Sequence, residues 1–164
     1  MKRTVIFPVI ALAQLALVGL AVAPQLSARV VGDTYLMKVA PLDPIDPFRG
    51  AYVTLDYPDL RHGDADEWNT GLGSVEDGDR GDVYVSLQEQ GEVWVAAEWT
   101  RERPDDGPYL ACNDRSWQIR CGIESYFLPQ DKASETELLL RDGAVAEVKI
   151  DSRGNATVVD VRAP

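Results

Sequence analysis

The residues best suited to chemistry stand close together in the stretch PLDPIDPFRGAYVTLDYPDL, at positions 41–60. Asp43 and Asp46 each precede a proline, and Arg49 follows them with a positive charge. Two carboxylates beside a guanidinium can serve acid–base catalysis or hold a charged ligand. Proline, however, restricts the residue before it to extended or turn geometry, in which aspartate commonly hydrogen-bonds its own backbone. We therefore expect turn formation to be the default role of both aspartates.

Two tyrosines follow in AYVTLDY, a segment whose alternation predicts a strand. Val53, Leu55 and Tyr57 share one face with Ala51, whereas Tyr52 points to the opposite face. Because the two tyrosines lie on opposite faces, at most one of them faces the core. The other is available to a partner.

Metal chemistry receives little support from the rest of the chain. His62 is the only histidine, and no second residue nearby would orient it as a base or complete a zinc site, so we expect a surface histidine. The acids of the loop that follows do not have the spacing of an EF-hand. These acids are Asp64, Asp66, Glu67, Glu76, Asp77, Asp79 and Asp82. We expect a solvated loop, no metal and no cofactor.

The charge balance also excludes a class of partner. The chain of 164 residues carries 16 Lys and Arg against 27 Asp and Glu, a net charge of −11. Such a surface repels phosphate backbones, which argues against nucleic acid as a partner. The length beyond the N-terminal segment suffices for one domain with a single hydrophobic core.

The N-terminus, MKRTVIFPVIALAQLALVGLAVAPQ, predicts a membrane anchor. Two basic residues precede about twenty residues without charge, enough to cross the hydrocarbon of a bilayer as a helix. We expect a transmembrane anchor over 1–24, a juxtamembrane segment over 25–32 and a domain over 33–164. The basic pair would keep the N-terminus cytoplasmic, so that the domain faces outward from the cell membrane. A signal peptide cleaved after Ala23 or Ala28 is the alternative, although Pro24 disfavours the first site.

Two cysteines, Cys112 and Cys121, flank NDRSWQIR, a span that a hairpin can close. In an oxidising compartment we expect them to form a structural disulfide. Paired reactive thiols and unpaired cysteines are the alternatives.

The outer part of the chain reads as about seven or eight short strands, which predicts a mainly β fold, a small antiparallel barrel or sandwich. Tyr35, Met37 and Val39 alternate in the first strand. One predicted hairpin places Val83, Val85 and Leu87 before its turn and Val93, Val95 and Ala97 after it. The closing hairpin carries Val145, Val148 and Ile150, then Ala156, Val158 and Val161. One short helix is expected in DKASETELLLRDG.

Two motifs together resemble the bacterial GDYXXLXY family. RGAYVTLDY is similar to the family signature, with matches at Gly50, Tyr52, Leu55 and Tyr57, and the Asp-Pro lead-in upstream is similar as well. CGIESYFLPQ resembles the family's second block, with matches at Gly122, Glu124, Ser125, Tyr126, Phe127 and Pro129. With the anchor and the closing hairpin, the resemblance covers nearly the whole chain. It implies a membrane-anchored envelope protein of unknown activity, of a kind often encoded beside a polytopic membrane protein.

The sequence departs from that signature at Ala51, where the family has aspartate. An essential catalytic acid at this position would be lost in this protein. If the aspartate only caps the turn after Gly50, alanine costs about 1 kcal/mol and nothing else. The substitution favours a structural role for the motif.

If the two motifs meet in space, Arg49 could pair with Glu124 or with the upstream aspartates. The candidate binding residues are Arg49, Tyr52, Tyr57, Glu124 and Tyr126. We expect a non-enzymatic module that binds or assembles with a membrane partner, the lipid bilayer being contacted through the anchor. One alternative is an extracytoplasmic sensor with a small-ligand pocket between the motifs.

A hydrolase with a β domain like that of membrane-bound signal peptidases is a weaker alternative. No serine lies between Gly32 and Tyr57, where such an enzyme would carry its nucleophile. Ser–Lys catalysis also needs a lysine poised by burial, and nothing local indicates this for Lys38, Lys132 or Lys149.

Overall fold

A long helix, α1 (Arg3–Val31), begins the structure, which is a computed structural model. Its segment Ile6–Val31 contains an 18-residue stretch with a mean hydropathy of 2.4 and is long and apolar enough to cross a membrane, a test that a signal sequence also passes. The helix continues past Pro24, because a proline removes only its own N–H from the ladder and a membrane helix tolerates the loss. The predicted juxtamembrane segment is therefore helical up to Val31. The residues that the structure describes are 3–41, 52–61, 80–115, 119–127, 136, 140 and 143–164.

Two antiparallel sheets follow the helix, which confirms the mainly β prediction. Five strands form one sheet in the order β6-β2-β1-β7-β8, and three form the other in the order β4-β3-β5. The strands are β1 (Asp33–Pro41), β2 (Tyr52–Asp56), β3 (Asp82–Gln90), β4 (Val93–Thr100), β5 (Tyr109–Asn113), β6 (Ser125–Phe127), β7 (Ala144–Ile150) and β8 (Ala156–Arg162). A short 3-10 helix, Pro58–Leu60, follows β2. Thr136 and Leu140 have helical backbone within the segment predicted as a helix, and Gly143, predicted to stop it, is not helical; the other residues of the segment lie outside the described part.

The predicted inward faces form one core between the sheets. Val53, Leu55 and Tyr57 are all buried, as the alternation of β2 predicts. Met37 and Val39 are buried in β1, and the same cluster includes the predicted positions of β3 and, apart from Val145, those of the closing hairpin. Period-two patterning therefore located most of the core.

In β4 the predicted apolar set lies outside the core cluster: Ala97 is exposed, Val93 is half-buried, and Val95 is buried but not part of the cluster. Buried Leu87 stands opposite Ala96, so Trp94 and Ala96 lie on the face that packs against the core, and a β-bulge at Ala97 then brings Trp99 to that face.

A second irregularity leaves Val159 without an opposite residue and explains the unequal spacing of Ala156, Val158 and Val161 in β8. In β7 the core-facing residues are Ala144, Ala146, Val148 and Ile150, so Val145 lies on the opposite face. A bulge reverses the face of the residues beyond it, which simple alternation does not anticipate.

The predicted disulfide is present between Cys112 and Cys121, and both residues are buried. Asn113 and Arg120 form an antiparallel bridge beside it, so the segment does close as a hairpin. The disulfide ties β5, in the three-stranded sheet, to the loop that leads into β6 of the five-stranded sheet. It therefore joins the two sheets at the second motif.

Several predicted residues lie outside the described part of the chain. They are Asp43, Asp46, Arg49, Gly50, Ala51, His62, the loop acids from Asp64 to Asp79, and Pro129. Asp82 is described: its carboxylate accepts a hydrogen bond from Asn113 Nδ2 at 2.9 Å. Among the described residues, no group of three or more His, Cys, Asp or Glu could hold a metal ion.

Candidate functional site

The two motifs pair directly with each other as neighbouring strands. β2 and β6 are antiparallel, and Val53 stands opposite Tyr126. Beyond the strand, the N–H of Leu55 donates to the carbonyl oxygen of Glu124 at 2.9 Å. The expectation that the motifs meet in space is therefore met by their described residues.

Tyr57 joins the motifs a second time through its side chain. The hydroxyl donates to the carbonyl oxygen of Ile123 at 2.9 Å, and the residue is only 2% exposed. Burial raises the pKa of this phenol well above its usual value, and the negative charge of Glu124 raises it further. Tyr57 therefore stays neutral at physiological pH. Its buried hydrogen bond joins the two motifs, and its burial leaves it unavailable to a ligand. The side chain of Tyr52 lies outside the described part of the chain.

The carboxylate of Glu124 binds backbone groups of the loop that precedes it. Oε1 accepts hydrogen bonds from the N–H groups of Cys121 and Gly122, the second at 3.1 Å. Gly122 has φ of +83°, a conformation in which glycine is favoured over every residue with a Cβ. Glycine and glutamate thus build one tight turn between the disulfide and β6. Pairing of Glu124 with Arg49 stays a prediction, because Arg49 is outside the described residues.

Removing the Tyr57 hydroxyl tests the contribution of this hydrogen bond to stability. We expect Tyr57→Phe to lower the free energy of unfolding by about 1–3 kcal/mol, because the Ile123 carbonyl would lose its buried donor. Thermal unfolding of the purified chain measures the loss. Tyr126→Phe removes a hydroxyl from a half-buried side chain and should change stability by less than about 0.5 kcal/mol. Equal effects of the two changes would contradict the assigned role.

Ser125 and Phe127 of the second motif face outward, whereas Tyr126 packs against the core. Ser125 is exposed, Tyr126 is half-buried and Phe127 is 77% exposed. Among the described residues, Phe127 is the only large apolar side chain outside α1 that is this exposed. Strand β6 also forms an edge of its sheet. An exposed phenylalanine on an edge strand is a feature of interaction surfaces.

A groove of about 690 Å³ runs beside this strand, between it and the end of α1. Its helix side consists of Val22, Gln25, Leu26 and Arg29, and Arg120 lines it near the disulfide. We call it the helix groove. None of these five residues was a sequence-based candidate. A basic residue just beyond an apolar run was the one available signal.

The end of α1 is built into the β domain at the turn between β7 and β8. Ala28 is fully buried, and Ser27 Oγ donates to Asp151 Oδ2 at 2.6 Å. Lys149 Nζ donates to the carbonyl oxygen of Arg29 at 3.3 Å, where a helix C-terminus favours positive charge. A Cβ at Gly32 would stand 2.9 Å from the backbone carbonyl of Ile150, so the backbone at Gly32 packs directly against the backbone at the end of β7.

Asp151 is the centre of this junction. Its carboxylate also accepts from the N–H groups of Arg153 and Asn155 and from Asn155 Nδ2, at 2.9 to 3.0 Å. Burial raises the pKa of Asp151, but the hydrogen bonds from Asn155, Ser27 and the backbone outweigh it and hold the pKa below its ordinary value. The ionised carboxylate therefore organises the turn and holds the helix to it.

The position of the described cavities bears on the sensor alternative. Strand pairing and Tyr57 fill the space between the two motifs where they are described. A second opening of about 830 Å³ lies elsewhere, near Val39, Val93 and Pro164, and its described lining contains no residue of either motif. The helix groove is lined by residues of the second motif, among them Gly122, Glu124 and Tyr126.

Comparison with known families supports the resemblance of both motifs. The family model for the GDYXXLXY protein matches residues 14–161, a span that contains both motifs, most of α1 and nearly all of the closing hairpin. No curated protein and no solved structure matches the chain.

Proposed function

Since the chain belongs to the GDYXXLXY family, we propose that it is a membrane-anchored protein whose β domain binds, without catalysis, a polytopic membrane protein. The domain would face outward from the cell membrane. The anchor would be retained, and the domain would serve to bind or assemble its partner at a fixed place on the bilayer surface.

The junction between helix and domain carries this proposal. A domain on a flexible tether samples many orientations, whereas α1 enters the β domain without an intervening loop and is fastened there by Ser27 and Asp151. A rigid connection holds one side of the domain at a constant height and angle above the bilayer. This geometry lowers the entropy cost of binding another membrane-embedded protein.

Charge and redox chemistry support the proposed orientation. Lys2 and Arg3 precede the apolar run, and basic flanks favour the cytoplasmic side. The disulfide between Cys112 and Cys121 requires an oxidising compartment to persist. Both features support a domain on the outer side.

The absence of catalysis in this proposal is supported by how the motif residues are used. Tyr57 and Glu124 direct their polar atoms to backbone groups of the second motif. Both therefore have structural roles that explain their presence without chemistry on a substrate.

The exposed part of β6 is the surface we assign to the partner. Phe127 supplies apolar area, and the strand edge supplies backbone groups. Aromatic residues are enriched among the positions that dominate binding energy. Phe127 lines the same groove as Val22 and Leu26, so this surface lies next to the membrane helix.

Co-purification tests the proposal. The tagged full chain, extracted from its native membrane in a mild detergent, should enrich one polytopic membrane protein. Phe127→Asp should reduce the recovered partner about tenfold or more, because a carboxylate would replace an apolar anchor. Ala97→Asp is the matched control: it adds the same side chain at an exposed position of the other sheet and should leave recovery unchanged.

Recovery of the tagged chain alone from wild-type membranes would contradict the proposal. So would equal partner recovery with the two variants, which would remove β6 from the interface. The anchor has a separate test: intact mass should include residues 1–23, and a mature protein that starts after Ala23 or Ala28 would show cleavage.

A further inference from the structure

We propose that the helix groove binds one zwitterionic glycerophospholipid, with Arg29 and Arg120 on its phosphate and its hydrocarbon along Val22 and Leu26. The inference rests on the retained anchor of the proposed function but requires no protein partner. It gives the groove an occupant from the membrane in which α1 would lie.

The groove lies at the depth of the lipid headgroups. A hydrocarbon core of about 30 Å takes about 20 helical residues, which brings its outer boundary near Pro24 when counted from the start of the apolar run. Arg29 is five residues farther along α1, or about 7 Å at a rise of 1.5 Å per residue. The headgroup layer is about 5–8 Å thick on each side of the bilayer. The guanidinium of Arg29 therefore falls where lipid phosphates lie.

The polarity of the groove lining changes along the helix as it does along a lipid, from hydrocarbon to charged headgroup. Val22, Gln25, Leu26 and Arg29 follow one another at i, i+3, i+4 and i+7, so they share one face of α1. The apolar side chains come first, nearest the hydrocarbon, and the arginine comes last. Gln25, Ser125 and Thr157 add hydrogen-bonding groups to the lining. An acyl chain below and a phosphate above match this order.

The charges around the groove complement a zwitterion. Within the described part of the chain, neither Arg29 nor Arg120 forms an ion pair with a carboxylate, although the chain as a whole is strongly acidic. Arginine binds phosphate oxygens through two parallel N–H groups. Glu124 lines the groove as well, and Asp160 stands close enough to act on Tyr126. Two positive and two negative charges leave the site balanced, which disfavours an anionic headgroup and suits a phosphate paired with an ammonium.

Arg29 and Asp160 both lie close enough to Tyr126 to affect the pKa of its phenol. Burial raises the pKa of its phenol, the negative charge of Asp160 raises it further, and the positive charge of Arg29 lowers it. Both charges therefore act on the same hydroxyl. A headgroup at Tyr126 would have an arginine on one part and a carboxylate on another.

Lipid retention tests the inference. The full chain is purified from phospholipid-containing membranes in a mild detergent, washed extensively, and its bound phospholipid is measured by phosphorus content and mass spectrometry. We expect about one phospholipid per chain, with phosphatidylethanolamine enriched over phosphatidylglycerol relative to the membrane of origin. The double variant Arg29→Gln and Arg120→Gln should retain at least about tenfold less, as expected for losing charge-assisted hydrogen bonds to phosphate.

Arg162→Gln is the matched control, because it removes the same charge at the far end of β8, outside the groove. It should retain lipid as the wild type does. Thermal unfolding of the double variant should match the wild type, since both arginines are exposed. Inorganic phosphate added in excess during the wash should not displace the lipid.

Four results would overturn the inference: no phospholipid on the wild type, equal retention by the double variant, enrichment of phosphatidylglycerol, or complete displacement by inorganic phosphate. Failure of the anchor is distinguishable from these. A chain that alkaline carbonate releases from the membrane would contradict the proposed function itself. A membrane-embedded chain without lipid would contradict only the groove.

Discussion

Gly32→Ala is expected to lower the unfolding midpoint of the full chain by about 6–12 °C, corresponding to a loss of about 3 kcal/mol. The added methyl group would collide with the carbonyl oxygen of Ala28 and stand 2.9 Å from the carbonyl of Ile150. Both contacts are to backbone, which cannot yield as a flexible side chain can. Relief requires α1 to move away from the end of β7, and this also separates Ser27 from Asp151.

Gly19→Ala is the control, because it makes the same change within α1 at a position where a Cβ meets nothing within 4 Å. Its midpoint should stay within about 2 °C of the wild type. Differential scanning of the detergent-purified proteins gives both values. Equal midpoints for the two variants would contradict close packing of the helix on the domain.

Asp151→Ala is expected to cost about 3 kcal/mol, also measured as a lower unfolding midpoint. The change removes the acceptor of hydrogen bonds from Ser27, Arg153 and Asn155 and leaves two partly buried backbone N–H groups without this partner. Ser27→Ala removes only the bond from the helix and should cost about 1 kcal/mol. The double variant should cost little more than Asp151→Ala alone, because the two residues share one interaction. Full additivity would show that helix and turn are not coupled through this pair.

The same carboxylate makes stability depend on acid. The pKa of Asp151 is lower in the folded chain than in the unfolded chain, so its contribution is present above the unfolded pKa and is lost as pH falls through the folded pKa. Asp114 acts in the same direction, since the hydrogen bond from Arg101 lowers its pKa. We expect the midpoint to fall as the pH is lowered below about 4, the ordinary aspartate range. The acid dependence should weaken in Asp151→Ala, and an unchanged profile would contradict its role.

The sequence predicted the elements more completely than the site. Alternation placed Val53, Leu55 and Tyr57 on one buried face because a strand exposes its two faces in turn, whatever surrounds it. The disulfide and the long apolar helix were also predictable from the sequence, because the short spacing of the cysteines and the unbroken apolar run each constrain the local structure. These features depend on neighbouring residues alone.

The roles of the motif residues depended on contacts between distant segments. Glu124 was predicted as a binding residue, and nothing in its own sequence shows that its carboxylate binds the N–H of Gly122. The helix groove combines residues near position 25 with others near 120 and 157, so no single stretch could indicate it. The predicted face of β4 was wrong because both of its faces carry apolar residues, and only pairing with β3 shows that Trp94, Ala96 and Trp99 pack against the core.

The position of β1 has a consequence for how the chain reaches its folded state. This strand follows the helix directly, yet it lies in the middle of its sheet, and Asp33 pairs with Ile150 near the end of the chain. Apart from Ala40 and Pro41, which pair with β2, the residues of β1 have their partners in β7, and β7 is synthesised near the end of the chain. Such high contact order slows folding and leaves an edge open to aggregation meanwhile. A chain that stops short of β7 would therefore leave most of β1 unpaired and open to aggregation.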